Sequence, residues 1–324
     1  MLKNVVITQP LPKERLAALS KQCNLKILKG SQSPLDALSR EELAACHGLI
    51  CLLTDPIDTP LLALMPKLQF VSSVSVGVDH IDVATLTQRS IPVGYTPGVL
   101  VDTTADAAFA LLLAAARRVA EGDRYIREGN WRSDARWSTD FFLGKDVSGG
   151  TLGIIGLGAI GQAVARRAVG FDMKVIAWTP SGREVPGVDS VSLEELLLRS
   201  DFVSVHLALA RETRNLLDAA KIATMKPGAV LVNTARGGIV DEVALAVALD
   251  SGHLYAVGLD VFECEPVAMD NPLLKHPRAV VVPHIGSATT LTRAKMVDIA
   301  VRNATAALQG QVMPHCVNPE VYPA

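Results

Sequence analysis

The sequence of 324 residues predicts an α/β protein built as two doubly wound parallel-sheet domains. Three observations carry that expectation. Short apolar runs alternate with amphipathic segments over residues 1–95, a second series of the same kind starts at Thr151, and the turn Gly156-Leu-Gly-Ala-Ile-Gly161 lies near mid-chain. The turn follows the apolar run Thr151-Leu-Gly-Ile-Ile155 and opens the helical pattern of residues 162–168, with another strand pattern at residues 174–178. That strand–turn–helix–strand setting makes it a dinucleotide-binding fingerprint. The first glycine permits the tight turn, and the second lets backbone N–H groups approach a pyrophosphate. The third lets the helix pack on the strand, its N-terminus facing the anion. A simple dinucleotide-binding protein carries this turn near its start, so here something else occupies the first half.

Taken in order, strands are expected at residues 5–8, 25–28, 49–53, 70–74 and 92–95, with helices at 13–22, 39–46, 60–65 and 83–89. Alternation at this spacing argues for right-handed βα units on a parallel sheet. Thr96-Pro-Gly98 then breaks the series, and residues 102–120 read as one long helix able to cross between domains. Its apolar run, Ala107 to Ala116, is about half of what spans a bilayer and reads as a buried helix at the domain interface. The second series offers six strands, at residues 152–155, 175–178, 202–206, 229–233, 256–260 and 280–283, the strand count of a full dinucleotide-binding sheet. Residues 291–309 read as a helix returning to the first domain. The domains are therefore expected at 1–98 plus 289–324, and at 99–288.

Composition narrows the function classes. Hydrophobic residues make up 49% and charged residues 20%, enough for substantial cores. Lys plus Arg (31) nearly balance Asp plus Glu (33), so neither nucleic acid nor an anionic membrane is an expected partner. Met1-Leu-Lys-Asn-Val-Val-Ile-Thr8 reads as a first strand rather than a signal peptide. Cys23, Cys46, Cys51, Cys264 and Cys316 are scattered without a CxxC pattern and read as reduced packing residues of a cytoplasmic protein. No cluster has metal-ligand spacing, and no metal is expected.

A nicotinamide carries hydride by itself, so the protein has to position a substrate and manage its proton. Reducing a carbonyl builds negative charge on oxygen, which calls for a nearby cation and a general acid. An imidazole backed by a carboxylate suits the second task, because the carboxylate orients the ring and favours its protonated form. In a doubly wound sheet such groups belong just past the C-terminal ends of strands. Arg236, Glu265 and His284 each stand past an expected strand end.

Five ordered stretches then carry a family resemblance: Ser75-Val-Gly-Val-Asp79, the Gly156–Gly161 turn, Asn233-Thr-Ala-Arg-Gly-Gly238, Gly258-Leu-Asp-Val-Phe-Glu263 with Glu265-Pro266, and Pro283-His-Ile-Gly-Ser-Ala288. The chain resembles the D-2-hydroxyacid dehydrogenase family, and within it the glyoxylate/hydroxypyruvate reductase branch. The resemblance implies a Rossmann cofactor domain plus a flavodoxin-like substrate domain with a cleft between them. It implies that Arg236 binds the substrate carboxylate and polarises the carbonyl, that His284 is the acid/base, and that Glu265 is its partner. Backbone N–H groups of Val76 and Gly77 would hold the carboxylate, and Asp260 the nicotinamide carboxamide. Thr104, Gly156, Leu157, Gly158, Ala159, Ile160, Gly161, His206, Thr234, Ala235, His284 and Gly286 would line the cofactor. Trp137, Phe141 and Phe142 fall in an arm that in this family reaches a partner subunit, so a homodimer is expected. His80 stands beside the carboxylate-binding turn.

Sheets that prefer NAD place an acid about 20 residues beyond the glycine turn to bind the ribose hydroxyls. Here that place reads Trp178-Thr-Pro-Ser-Gly-Arg183. Thr179, Ser181 and Arg183 suit a 2′-phosphate instead. The expected function is an NADP(H)-preferring reductase of small 2-oxo acids to 2-hydroxy acids, with NAD(H) possible. The alternatives are an NAD-dependent dehydrogenase of a bulkier D-2-hydroxy acid and a dinucleotide-sensing scaffold on the same fold.

Overall fold

In a computed structural model of the chain the described residues are 2–30, 33–134 and 137–323, so Met1 of the expected first strand lies outside them. Two compact units form, one of Met1–Leu100 with Thr289–Ala324, the other of Val101–Ala288.

The first unit holds a wholly parallel sheet of β1 (Lys3–Ile7), β2 (Cys23–Ile27), β3 (Gly48–Cys51), β4 (Phe70–Ser73) and β5 (Val93–Gly94), in the order β2-β1-β3-β4-β5. That is the flavodoxin-like doubly wound order. Residues of β3 and β4 are buried throughout, as expected of strands covered on both faces. Helices α1 (Lys13–Leu16), α2 (Pro34–Ala37), α3 (Arg40–Ala44), α4 (Thr59–Ala63) and α5 (Val83–Gln88) connect them. Local chemistry sets the starts of several: Ser39 and Glu42 form a capping box, while Asp58 and Asp82 accept the N–H groups of Leu61 and Thr85. The long helix Thr290–Leu308 packs on this sheet, and Ser72 Oγ donates to Ala300 O at 2.9 Å.

Two expectations for this unit need correction. The helix at 13–22 stops at Leu16 and gives way to a 3₁₀ turn at Leu19–Lys21. Leu16 and Leu19 are both buried, and the three-residue spacing of the tighter turn brings them to one face. The strand at 92–95 shrinks to Val93–Gly94, because Tyr95 N donates to His315 O and Gly94 bridges Cys316 instead.

The second unit holds a seven-stranded parallel sheet: β6 (Thr151–Ile155), β7 (Lys174–Trp178), β8 (Asp189–Ser190), β9 (Phe202–Val205), β10 (Ala229–Asn233), β11 (Leu254–Leu259) and β12 (Ala279–Val281). The order β12-β11-β10-β9-β6-β7-β8 reverses direction at β6, the topological switch point of a Rossmann sheet. Six strands were expected; the seventh, β8, is an exposed two-residue polar edge with no apolar run to betray it. Helices α6 (Val101–Ala116), α7 (Val119–Arg127), α8 (Ala159–Ala168), α9 (Leu193–Arg199), α10 (Ala219–Thr224) and α11 (Glu242–Asp250) complete the unit.

Residues 102–120 are not one helix. Arg118 takes a left-handed φ of 56° and donates to Glu121, starting α7 in a new direction. The run Ala107–Ala116 is buried as expected: Ala108, Leu111, Leu112 and Ala115 pack with Leu152, Ile154, Val230 and Ala256 inside the second unit. Among the described residues no helix is long and apolar enough to cross a membrane. Because every pairing in this sheet is parallel, the C-terminal ends of β6, β9, β10, β11 and β12 share one edge.

Candidate active site

At the head of β6 the three glycines answer three different demands. Gly156 has φ 101°, and a Cβ there would stand 2.5 Å from His206 O. A Cβ on Gly161 would stand 2.1 Å from Gly156 O, so only glycine lets α8 approach its strand. A Cβ on Gly158 would meet nothing within 4 Å, yet Gly158 N-caps α8 without a side-chain cap bond. Tight packing explains the outer two; at the middle one, no packing within the described residues calls for glycine. An anion fits there, because the first-turn N–H groups of Ala159, Ile160 and Gly161 and the positive end of the helix converge on that space.

Further residues expected around a dinucleotide lie along the same edge. Trp178 pairs with Ile155, and Gly156 N donates to Trp178 O at 2.8 Å, so Thr179 is the first residue past the sheet beside the glycine turn. Thr179 and Ser181 hydroxyls are 3.4 Å apart, with Arg183 exposed on the same loop and no acid from 179 to 183. His206 follows β9, and its Nε2 is 2.8 Å from Ser204 Oγ. Part of that residue reaches solvent, but its ring is packed in, and burial pushes its pKa down to about 4. Thr234 Oγ1 is buried and has no hydrogen-bond partner among the described residues, an orphan that a ligand group would satisfy. Thr104, buried on α6, lies against Gly286, where a Cβ would come within 3.4 Å of its methyl group.

Three strand ends carry the groups expected to react. Arg236 follows β10 in a turn held by Asn233, whose buried amide accepts from Ala235 N at 3.0 Å and donates to Arg236 O at 2.8 Å. That bracket escaped sequence reading, although Asn233 stands in the same quoted stretch as Arg236. Gly237 has to be glycine, since a Cβ would run into the backbone of Phe262 and Glu263. Beyond β11, Glu265 accepts from Phe262 N at 3.0 Å through Oε1 and meets His284 Nδ1 at 2.6 Å through Oε2. A carboxylate only accepts, so Nδ1 carries a proton and Nε2 is the nitrogen left for chemistry. Burial alone would raise the Glu265 pKa. The His284 hydrogen bond, the Phe262 N–H and the charges of His284 and Arg236 outweigh it, holding the carboxyl below its ordinary value.

Asp260 does more than its expected role required. Fully buried, it accepts from Ile285 N at 2.6 Å and Gly286 N at 2.8 Å, one bond on each carboxylate oxygen, while His284 N donates to Asp260 O at 2.9 Å. Burial pushes its pKa up against these two N–H groups and the His284 charge. Three successive residues of the His284 turn are thus fastened to one residue of β11's end.

Of the other expected residues, Val76 and Gly77 follow β4 in the first unit, and among the described residues neither N–H donates to another group. Among the described residues Arg183 forms no side-chain hydrogen bond or ion pair with Thr179 or Ser181. Phe142 lies under the Arg118 guanidinium at 4.0 Å and edge-on to Tyr125, while Trp137 is 76% exposed. Cys23, Cys46 and Cys51 are buried, with burial pushing their thiols up to about 11, 11 and 12, as suits packing residues.

Comparison with known proteins agrees with this edge. Residues 109–286 match the family described as D-isomer specific 2-hydroxyacid dehydrogenase, NAD binding domain. The chain is 45% identical over 325 residues to a glyoxylate reductase of Korarchaeum cryptofilum, covering 99% of this chain and 97% of that one. It is 40% identical to a glyoxylate/hydroxypyruvate reductase B of Citrobacter koseri, covering 99% of each. A crystal structure of an NADPH-dependent glyoxylate/hydroxypyruvate reductase from Sinorhizobium meliloti, with NADP and malonate, superposes with a TM-score of 0.89 at 28% identity, covering 100% of this chain and 99% of that one. With the Rossmann sheet, the glycine cradle and the Glu265–His284 pair, these matches place the chain in the D-isomer specific 2-hydroxyacid dehydrogenase family, as a nicotinamide-dinucleotide oxidoreductase.

Proposed function

We propose that the protein reduces small 2-oxo acids, glyoxylate and hydroxypyruvate, to 2-hydroxy acids, with NADP(H) as the preferred cofactor and NAD(H) as a weaker one. The carrying observation is the His284–Glu265 pair one strand away from Arg236, on the sheet edge that also bears the glycine cradle. The names of the relatives above support the same substrate class.

The bound nicotinamide supplies the hydride. Arg236 pairs with the substrate carboxylate and draws charge toward its carbonyl oxygen, a planar two-donor task that suits guanidinium. The N–H groups of Val76 and Gly77 are a second hold on that carboxylate. As the oxygen gains negative charge, His284 Nε2–H donates its proton to it, and Glu265 keeps the ring oriented throughout. The N–H groups of residues 158–161, with Leu157 beside them, take the pyrophosphate. Thr104, His206, Thr234, Ala235, Asp260 and Gly286 surround the nicotinamide half.

NADP(H) preference rests on the loop after Trp178, where Thr179, Ser181 and Arg183 stand in place of an acid. Steady-state kcat/KM for glyoxylate with NADPH and with NADH tests both parts: the NADPH value should be at least tenfold higher. An equal or better value with NADH rejects the preference, and turnover with neither rejects the reductase. We also read the protein as a homodimer, on the exposed Ile126, Trp131, Trp137 and Leu143 of the second unit, and as cytoplasmic, on five cysteines that are all free. Light scattering coupled to size exclusion should give twice the chain mass.

A further inference from the structure

Inside the first unit, a run of hydrogen bonds leads from His80 to the turn that bears the Val76 and Gly77 N–H groups. His80 Nε2 is 3.1 Å from Ser73 Oγ, Ser73 Oγ is 2.6 Å from Ser75 Oγ, and Ser75 Oγ donates to Gly77 O at 2.7 Å. Both serines are buried, where each hydroxyl has one proton to give. A carbonyl can only accept, so the Ser75 proton goes to Gly77 O. Ser73 must then donate to Ser75, which leaves Ser73 Oγ to accept from the ring. His80 Nε2 therefore carries a proton, and the whole chain runs one way, from imidazole to carbonyl.

The chain is anchored at both ends by backbone. Ile57 N donates to His80 O at 2.8 Å, Ile81 N to Val78 O at 3.0 Å, and Thr96 N to Ser75 O at 2.8 Å. Between those anchors, the Ser75 hydroxyl fixes the Gly77 carbonyl. Ser75 O shares its peptide plane with the Val76 N–H, and Gly77 O shares its plane with the Val78 N–H, so the planes on both sides of the Gly77 N–H are held and the two N–H groups of residues 76 and 77 stay paired as a two-donor hold for an anion.

We propose that His80 is a positioning residue for the substrate carboxylate: as an Nε2–H donor it drives the Ser73–Ser75 chain that sets the turn of residues 75–78. The inference rests on the assignment of Val76 and Gly77 to that carboxylate. It predicts that His80→Phe, which ends the chain without a donor, raises KM for glyoxylate about fivefold to tenfold, the loss of one net hydrogen bond's worth of alignment. In that variant kcat stays within about threefold and KM for NADPH is unchanged. His80→Gln, whose amide can donate, should recover KM to within about threefold of wild type, and Ser73→Ala should reproduce His80→Phe. Calorimetric binding of oxalate, a carboxylate that cannot be reduced, reads the same turn without turnover and should weaken by the same factor.

The outcomes separate cleanly. A lower melting temperature with KM and oxalate affinity unmoved makes the chain merely structural and overturns the proposal. So does a ¹⁵N-histidine spectrum that puts the His80 proton on Nδ1. If the wild type reduces neither acid but binds oxalate, and the variants weaken that binding, the reductase reading fails and the positioning role stands.

Discussion

His284 Nδ1 lies 2.6 Å from Glu265 Oε2, and the other oxygen of Glu265 is taken by the Phe262 N–H. The carboxylate is thus fixed from behind before it meets the ring, so the imidazole has one orientation rather than a choice of rotamers.

Removing the ring should therefore be a catalytic lesion. His284→Ala is expected to lower kcat by about 10²–10⁴-fold, the usual worth of a positioned acid–base group. The dissociation constant for NADPH, read by fluorescence titration, should stay within about threefold. Undiminished turnover would remove His284 from the chemistry.

Glu265 gives a pH test of the same pair. Its folded pKa lies below the ordinary 4.5, so its contribution to stability is complete above that value and is lost as pH falls through the folded one. The difference in unfolding midpoint between wild type and Glu265→Gln should hold constant from pH 7 to about 5 and shrink below about 4.5. A difference already gone at pH 6 would contradict the sign.

Gly158 and Gly161 of the cradle should fail in different ways. Gly158→Ala has room for its methyl and an ordinary φ of −72°, so its melting temperature should stay within about 2 °C. Its KM for NADPH should rise tenfold or more. Gly161→Ala pushes a methyl into Gly156 O and should cost about 3 kcal/mol of stability. If both variants lose only stability, Gly158 faces no anion.

His206 makes the second unit acid-sensitive. Its pKa is about 4 when folded and 6.5 when free, so the unfolded chain takes up a proton first as pH drops, and stability falls between about 6.5 and 4. Wild type should lose on the order of 1–2 kcal/mol more than His206→Asn between pH 7 and pH 5. Urea melts at the two pH values measure it; equal losses would mean that the ring titrates normally in the fold.

Thr179→Asp should bring an acid to the ribose position and turn the kcat/KM ratio toward NADH by at least tenfold. Arg183→Ala should raise KM for NADPH and leave KM for NADH in place. Neither effect is expected if the loop after Trp178 is remote from the ribose.

Long apolar strands and their parallel order were legible in the sequence, because strands such as Ala229–Asn233 are buried on both faces and read as unbroken hydrophobic runs. Arg236, Glu265 and His284 could be picked out for a related reason: each is a charged or titratable residue within a few positions of the end of such a run. What stayed hidden depended on particular polar contacts that hydrophobic periodicity does not record. The polar pair Asp189–Ser190 becomes a strand only by pairing with Ile176 and Ala177. The break at Arg118 is stabilised by a pairing with Glu121 that helix propensity does not register. Asn233 and the His80–Ser73–Ser75 chain use short polar side chains whose ordinary place is a turn, so nothing in their spacing sets them apart.

His284 itself sits at φ 52°, in the left-handed region where a side chain costs on the order of 1 kcal/mol or more and glycine costs nothing. The grip of Asp260 on this turn keeps the chain there regardless of what the residue prefers. Stability and turnover therefore pull on position 284 in opposite directions. Selection for thermal resistance alone, in a laboratory library or in a lineage released from its substrate, would favour glycine or asparagine at 284 wherever relief of this strain outweighs loss of the Glu265 pairing, at the cost of the ring proposed here to give the proton. A relative carrying such a residue there is better read as a former enzyme than as a damaged one.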